Sequence, residues 1–374
     1  VVPDRSADGH FIHWMHTSTG GRAPGGWPVE YTPIGSALLV AGAQFAANHF
    51  TDRPVLAALA RDLTASVDFN AAIHPSLDGR IYLTMAEQGG GGPGTVSPWN
   101  EYMLIESLAL KQPKHDRADA VLDHWLTAEN LPKRNFLGID TLTDNPNRWA
   151  PAFWVQQMHF FNGDFRHSPS LETFFDNHRE ADKRYSEIIL DEAFRYGLTA
   201  GVSPQGYHAD RMGDHPGEVF SPEAVAAWGD MDAFLQFYDN QCPTSDPRYQ
   251  CGLVRESDAQ PNWVPNDAGL VDHLFLLFGL IESIDADFFA ERVFKPYIPG
   301  DFNDDGQVTG NDFLDWHRDF PLHYDQADLA KWQANYGAQA SAAGANANAV
   351  PEPALAVYGL TLLVLSSRQV RAEA

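Results

Sequence analysis

Cysteine is nearly absent from this 374-residue chain: only Cys242 and Cys251 occur, close together in a Pro/Ser/Asp-rich stretch. In an oxidising compartment the pair predicts a local disulfide, with a metal pair as the minor alternative because no neighbouring Cys or His completes a site. Basic residues are also scarce, 25 Lys and Arg against 50 Asp and Glu, for a net charge of −25. That balance argues against nucleic-acid binding through phosphates. The sequence contains no Gly-x-Ser-x-Gly elbow, no P-loop and no His-Glu-x-x-His zinc motif, so serine-hydrolase, nucleotide and zinc-protease schemes find no support. His13 and His16 have the i, i+3 spacing of a ligand pair, but without a third ligand they read as structural or sugar-contacting. Before Val1 there is no initiator Met, basic n-region or apolar signal run, and the chain is therefore expected to be truncated at its N-terminus.

What is present is enough for a large core: 44% hydrophobic residues and ten Trp. Apolar residues recur at helical spacing over Ile34 to Phe50 and Pro54 to Val67, the latter with Asp52 placed to cap it. Further helical patterns run over Glu101 to Lys111, Ala118 to Ala128, Ala152 to Phe161, Ser170 to Tyr196, Pro222 to Tyr238 and Leu270 to Glu282, with one short strand-like run at Gly79 to Met85. Amphipathic helices joined by Gly/Pro/Asp-rich loops predict a helical barrel or a solenoid of paired helices. No repeat of fixed period is visible.

The helix junctions carry aromatic residues beside acids: His13-Trp14-Met15-His16, Trp27, Trp99-Asn100-Glu101-Tyr102, Phe160 to Arg166, and Trp228-Gly229-Asp230. Flat rings suit the C–H face of a sugar, and neighbouring carboxylates suit its hydroxyls. For a single Trp, core packing is the commoner explanation; several such junctions together point to carbohydrate.

The segments His10 to Met15, Tyr31 to Phe50, Trp99 to Leu110, Pro151 to Tyr185, Gly197 to Ala200, Gly206-Tyr207 and Trp263 to Glu282 resemble the glucoamylase-like domain family, which includes endo-β-1,2-glucanases. The resemblance spans about residues 9 to 283 in the family's order. It implies an all-α (α/α)6 barrel, incomplete at its N-terminus, and an inverting glycoside hydrolase acting on a β-glucan or related polysaccharide. Glu101 matches the family's Glu and is the first catalytic candidate. Beside aromatic rings its carboxyl would be desolvated and suited to general-acid work, whereas the plainer alternative is an acid complementing a helix N-terminus. Asp164, in Asp164-Phe165-Arg166, is the second, with Arg166 placed to hold it ionised, although a structural pair is equally compatible. Asp272 matches the acid of a third family segment. Glu172, Asp176 and Glu218 are weaker choices. Trp14, Trp99, Tyr102, Arg166 and Tyr207 are the candidate substrate contacts. The sequence departs from the family at Gly35, where an acid is common, and at Val202 and Gln205, where two Asp residues are usual. These departures keep open a non-catalytic surface glycan-binding protein.

Downstream, Asp301-Phe-Asn303-Asp-Asp305-Gly306-Gln307-Val308-Thr309-Gly-Asn-Asp312 places oxygen side chains at loop positions 1, 3, 5, 9 and 12 and glycine at 6, as a calcium loop requires. Asp301, Asn303, Asp305, Asp312 and the Gln307 carbonyl are the expected structural calcium ligands, against the alternative of an acidic turn without metal. With Asp at position 12 and Pro296, Pro299 and Gly300 in place of an entering helix, the loop resembles a dockerin repeat. Asp325 to Gly337 resembles the second half of the pair without its loop. Dockerins imply a cohesin-like protein partner; a calcium-stabilised spacer is the rival reading. Finally Val350-Pro351-Glu352-Pro353, an apolar run from Ala354 to Leu365, and Arg368 and Arg371 resemble a PEP-CTERM sorting signal. The run is short for a bilayer span of about 20 residues, and the signal implies export to the surface of a Gram-negative bacterium and removal by a sorting protease. The expected organisation is a catalytic domain over 1–297, a dockerin-like EF-hand module over 298–338, a low-complexity linker over 339–349 and the sorting segment over 350–374.

Overall fold

One helix is buried on every side. α4 (Met103–Leu110) has all eight of its residues buried, including Glu106 and Ser107. A helix apolar around its whole circumference must lie inside the molecule, and the rest of the fold is arranged about it. The computed structural model describes residues 3–339, apart from 27, 77, 97–99, 115, 126–130, 144–149, 193–194, 242–254, 266–268, 294, 296, 304 and 322–323, and within helices apart from the side chains of 122–125, 240–241 and 270–272. Residues 1–340 form one compact unit.

Around α4 stand α1 (Pro33–His49), α2 (Pro54–Ala65), the short α3 (Phe69–Ala72), α5 (Asp116–Trp125), α6 (Ala152–Phe161), α7 (Gly163–Arg166), α8 (Pro169–Ile189), α9 (Pro222–Ala227), α10 (Met231–Gln241), α11 (Leu270–Ile284) and α12 (Phe288–Arg292). α4 touches α1, α3, α5 and α6; α6 touches α8 and α9; and α9 packs closely on α11. The α9–α11 approach depends on Gly279, where a Cβ would lie 1.9 Å from the Ala226 carbonyl oxygen. α2 covers α1 from outside, leaving Val55 and Leu59 exposed. The predominance of helices is as expected from the sequence.

Among the described residues four two-stranded antiparallel sheets decorate the helix junctions: β1 (Ile81–Tyr82) with β2 (Thr95–Val96), β3 (Lys133–Phe136) with β4 (Ile139–Leu142), β5 (Ala200–Ser203) with β6 (Gly206–Ala209), and β7 (Val219–Phe220) with β8 (Glu256–Ser257), the last pair joined across α9 and α10. Two helix boundaries differ instructively from expectation. The pattern over Pro222 to Tyr238 is two helices, because Gly229 takes φ +74° and Asp230 recaps the chain by accepting from Ala233 N at 3.1 Å. Asp52 does not cap α2; Arg53 holds the cap position, without a side-chain bond, and pairs with Asp52 at 3.6 Å.

Beyond α12, α13 (Gly310–Asp319) and α14 (Gln326–Asn335) form a small helical pair, each begun by a capping box. Trp316 Nε1 donates to the Asp325 carbonyl at 2.8 Å, and Trp332 Nε1 to that of Thr309 at 2.7 Å. Phe313 lies against both indoles. The pair touches the barrel where Lys331 meets Asp119 at 3.2 Å, and within the module a Cβ on Gly300 (φ +96°) would lie 2.5 Å from Trp332 Cα. Among the described residues no helix is long and apolar enough to cross a membrane. Cys242, Cys251 and the segment 350–374 lie outside the described residues.

Candidate active site

Glu101 sits in the turn that leads into α4, one residue before the N-cap Tyr102. Its backbone carbonyl accepts from Gln157 Nε2 at 3.2 Å, which ties the head of α4 to the middle of α6. Tyr102 is buried and donates its hydroxyl to the Leu83 carbonyl at 3.2 Å. Burial, then the negative charges of Glu101 and Glu30, raise the Tyr102 phenol well above its usual range, so it stays protonated. Glu30 and Glu101 therefore bear on the same buried ring. His13 donates Nδ1–H to Glu30 Oε1 at 2.5 Å, and its ring stacks on half-buried Trp14 with centroids 4.3 Å apart. The Tyr102 phenol thus feels two carboxylates, one of which adjoins a histidine–indole stack, and of these residues the sequence singled out Glu101, Tyr102, Trp14 and His13. Glu30 was missed, since nothing local separates it from other acids. The second histidine of the expected pair, His16, bonds Ser18 instead.

The segments around Glu30 are joined by backbone pairing. Tyr31 bridges Ile12 on one side and Met85 on the other, and Met85 also bridges Gly91. Gly91 lies over the ring of Tyr82, where a Cβ would come within 2.2 Å.

Asp164 lies elsewhere. Ser107 bonds Asn162 at 2.9 Å, so the middle of α4 meets the end of α6. Asp164 follows in α7, where its Oδ1 accepts from Tyr297 N at 3.1 Å. Its charge acts on Glu106, whose fully buried carboxyl is raised well above the usual range by desolvation first, then by Asp164 and Asp119. A hydrogen bond from Ser107 opposes this in part. Asp164 thus keeps company with Glu106, buried in the middle of α4.

Arg166, expected to hold Asp164 ionised, is instead gripped by Glu172 and Glu282, each at 2.8 Å. His159 joins this hub, donating to Glu282 at 2.9 Å and stacking on Phe175 at 3.7 Å. Burial opposes ionisation of Glu172, but hydrogen bonds from His159 and Arg166 outweigh it, and its carboxyl titrates low. Arg166 is largely enclosed, its side chain 9% exposed, as suits a strut between α7, α8 and α11. Asp176 pairs with Arg179, and Glu218 is exposed. Tyr207, on β6, is 77% exposed. Asp272 falls on α11 with its side chain outside the described residues, and Trp27 and Trp99 lie outside them altogether. Two of the aromatic junctions turn out to be core: Phe160 packs among Phe275, Phe278 and Phe289, and Trp228 is fully buried.

In the calcium-type loop, Gly306 takes φ +81°, and the side chains turn inward onto backbone amides. Asp301 accepts from Asp305 N and Gly306 N, Asn303 from Asp305 N, and Asp305 from Gln307 N. Asp312, fully buried, accepts from Phe302 N at 2.9 Å and Thr309 N at 2.7 Å. Val308 is buried and pairs with Gly337 and Ala338 through two backbone hydrogen bonds. The donor types suit a hard cation. Among the described residues no three of His, Cys, Asp and Glu gather into a metal cluster, so the fit is one of residue type and spacing.

Comparison with solved structures adds the fold. A candidate glucoamylase from Bacteroides uniformis superposes with a TM-score of 0.64 at 18% identity over 77% of this chain and 74% of its own. An endo-β-1,2-glucanase from Chitinophaga pinensis, in complex with sophorotriose and glucose, gives 0.62 at 18% identity over 78% and 74%. A candidate glucoamylase from Bacteroides fragilis gives 0.63 at 19% over 91% and 78%. This chain has their fold. No family model matches the sequence, and no curated protein is similar to it.

Proposed function

We propose that the chain is an exported glycoside hydrolase acting on a β-glucan, a β-1,2-linked glucan foremost. The observation that carries the reading is Glu101 at the head of the wholly buried α4, beside Tyr102, Glu30 and the His13–Trp14 stack, in a barrel folded like endo-β-1,2-glucanases. In this reading the barrel is the (α/α)6 type, Trp14 offers a flat face to a sugar ring, and Glu101 serves as general acid in an inverting reaction, with its carboxyl facing the glycosidic oxygen. Reducing-sugar release from a panel of β-glucans, measured for the parent and for Glu101→Gln, tests it. Turnover by the parent and its loss in the variant are expected; glycan binding without product in both forms would refute the reading.

A second reading, a non-catalytic glycan-binding surface protein, is favoured by one observation. The site where the resemblance leads one to expect an acid is Gly35, and a Cβ there would lie 2.7 Å from the Thr32 methyl, so the position as folded has no room for a carboxylate.

The C-terminal part of the proposal is a calcium-binding module of the dockerin type. Asp301, Asn303, Asp305, Asp312 and the Gln307 carbonyl would hold the ion, and the ion would tie the loop to α13. A cohesin-like protein is its proposed partner and a sorting protease acts on the tail. The rival spacer role gains support from Lys331–Asp119, which joins the helical pair to the barrel. A calcium-dependent pull-down with cohesin modules separates the two.

A further inference from the structure

The chain leaves the barrel through a strap, Val293 to Gly300, whose residues fasten in turn to different parts of the fold. Val293 is buried in the barrel core. Lys295 Nζ donates to the Asp305 carbonyl of the calcium-type loop at 2.7 Å, and a Cβ on Gly306 would come 2.5 Å from Lys295 Cδ. Tyr297 N donates to Asp164 Oδ1 on α7 at 3.1 Å, and Tyr297 packs against the same core as Val293. Alternate residues of one short segment thus hold the core, the loop and α7.

The helical pair makes a second connection. Lys331 on α14 reaches Asp119 of α5 at 3.2 Å and Asp328 of its own helix at 3.7 Å, so one ammonium bridges a barrel carboxylate and a module carboxylate. The Tyr297 phenol feels the same groups: burial first, then Asp119, Asp328 and Tyr324, raises it above its usual range, and it stays protonated. Tyr324 is buried against Phe302, with ring centroids 4.6 Å apart, and Phe302 N donates to Asp312, the last residue of the loop. Loop and barrel are therefore joined through Lys295 and Tyr297 on the strap and through Lys331 on α14.

We propose that these connections make the loop 301–312, the helical pair, α5 and α7 one opening unit, so that a divalent cation in the loop steadies α5 and α7 as well as the loop itself. The identity of the cation rests on the calcium reading above; the coupling does not. Asp312 already orders the loop through Phe302 N and Thr309 N, and an ion held by the folded loop adds to what opposes opening. Regions that open only together share one opening equilibrium, and a ligand bound to the closed form slows exchange in all of them by the same factor. The side of α14 that carries Lys331 and Asp328 then serves the chain's own barrel.

Hydrogen–deuterium exchange of the full chain, read by mass spectrometry on peptides covering α5, α7 and α14, with calcium or with EGTA, tests the coupling. At a hundredfold excess of calcium over its Kd, amides of α14 are expected to exchange about 100-fold more slowly, and those of α5 and α7 by a comparable factor. Lys331→Met and Tyr297→Phe keep the aliphatic stem and the ring. Each should reduce the response of α5 and α7 to below about 10-fold, with calcium's heat of binding and the α14 response retained. In EGTA, Asp312→Ala should hasten exchange in α5 and α7 along with α14. Protection confined to α14 in the parent overturns the coupling, and so does an undiminished α5 and α7 response in both variants. A parent that takes up no calcium refutes the calcium reading instead. Asp312→Ala in EGTA then decides: exchange hastened in α14 alone overturns the coupling, and in all three helices supports it.

Discussion

Asp182 offers a quantitative check on how the barrel core is held. It lies on α8, 1% exposed, and its Oδ2 accepts from Leu198 N at 3.2 Å and Trp228 Nε1 at 3.3 Å. Its Oδ1 has no hydrogen-bond partner among the described residues. Burial outweighs the donors around it, from Leu198, Trp228 and Gly197, and raises its pKa from 3.8 to about 7. A folded pKa above the unfolded one means that the contribution to stability is complete below pH 3.8 and is lost as pH rises through about 7. At about 1.4 kcal/mol per pH unit, the loss is about 4 kcal/mol. Asp182→Asn removes the ionisation and keeps an acceptor for both donors. It places an amide where Oδ1 was, at a pH-independent cost of about 1–3 kcal/mol if that group stays unsatisfied. Urea denaturation of parent and variant at pH 4 and pH 8.5, followed by Trp fluorescence at fixed calcium, isolates the term, because every other titrating group cancels in the difference. The difference should move by about 4 kcal/mol in the variant's favour between the two pH values. A difference that does not change with pH would show that Asp182 titrates normally and that Trp228 and Leu198 hold an ordinary carboxylate.

Three further outcomes follow from the same geometry. Gly279→Ala drives a methyl into the Ala226 carbonyl and should cost about 1–3 kcal/mol by forcing α9 from α11, read as a lowered urea midpoint. Arg166→Met leaves Glu172 and Glu282 facing one another; it should destabilise by about 3–5 kcal/mol, while the double change with Glu282→Gln recovers part of that in a mutant cycle. Calcium titrated into the EGTA-treated full chain should bind saturably and raise the thermal midpoint, worth about 2.7 kcal/mol at a hundredfold excess over Kd. Asp301→Ala should abolish both effects, and calorimetry showing no heat would remove the metal from the loop.

The helices were legible because their boundaries are chemically marked. α6 begins after Pro151 and ends at Asn162, which then caps α7 through its own side chain, and its expected bounds match those observed. The hairpins were not. β3 and β4 turn through Leu137 at φ 48° and Gly138 at φ 85°, a mirror-type two-residue turn normally marked by Asn-Gly or Asp-Gly. With leucine in the first turn position, the sequence gives no local signal. Aromatic junctions misled for a related reason: Phe160 and Trp228 lie at helix ends, as a sugar platform would, but whether an end faces solvent or α11 depends on chain hundreds of atoms away.

The same limit shows in Asp164 and Glu30. Asp164 has the more suggestive neighbourhood in sequence, with Phe165 and Arg166 adjoining it, yet Arg166 is engaged by Glu172 from α8 and Glu282 from α11. Glu30 has an uninformative neighbourhood, between Val29 and Tyr31, and receives its partner from a residue brought alongside by backbone pairing. For a carboxylate, burial sets the cost of charge and the partner sets its orientation, and both come from elements distant in sequence. The 50 acidic residues therefore sort by environment. Glu106 and Asp182 are buried and held toward the neutral form, whereas Glu30 stays half-buried beside a histidine. An acid that must reach water belongs in the second environment, which separates Glu30 from the buried Glu106.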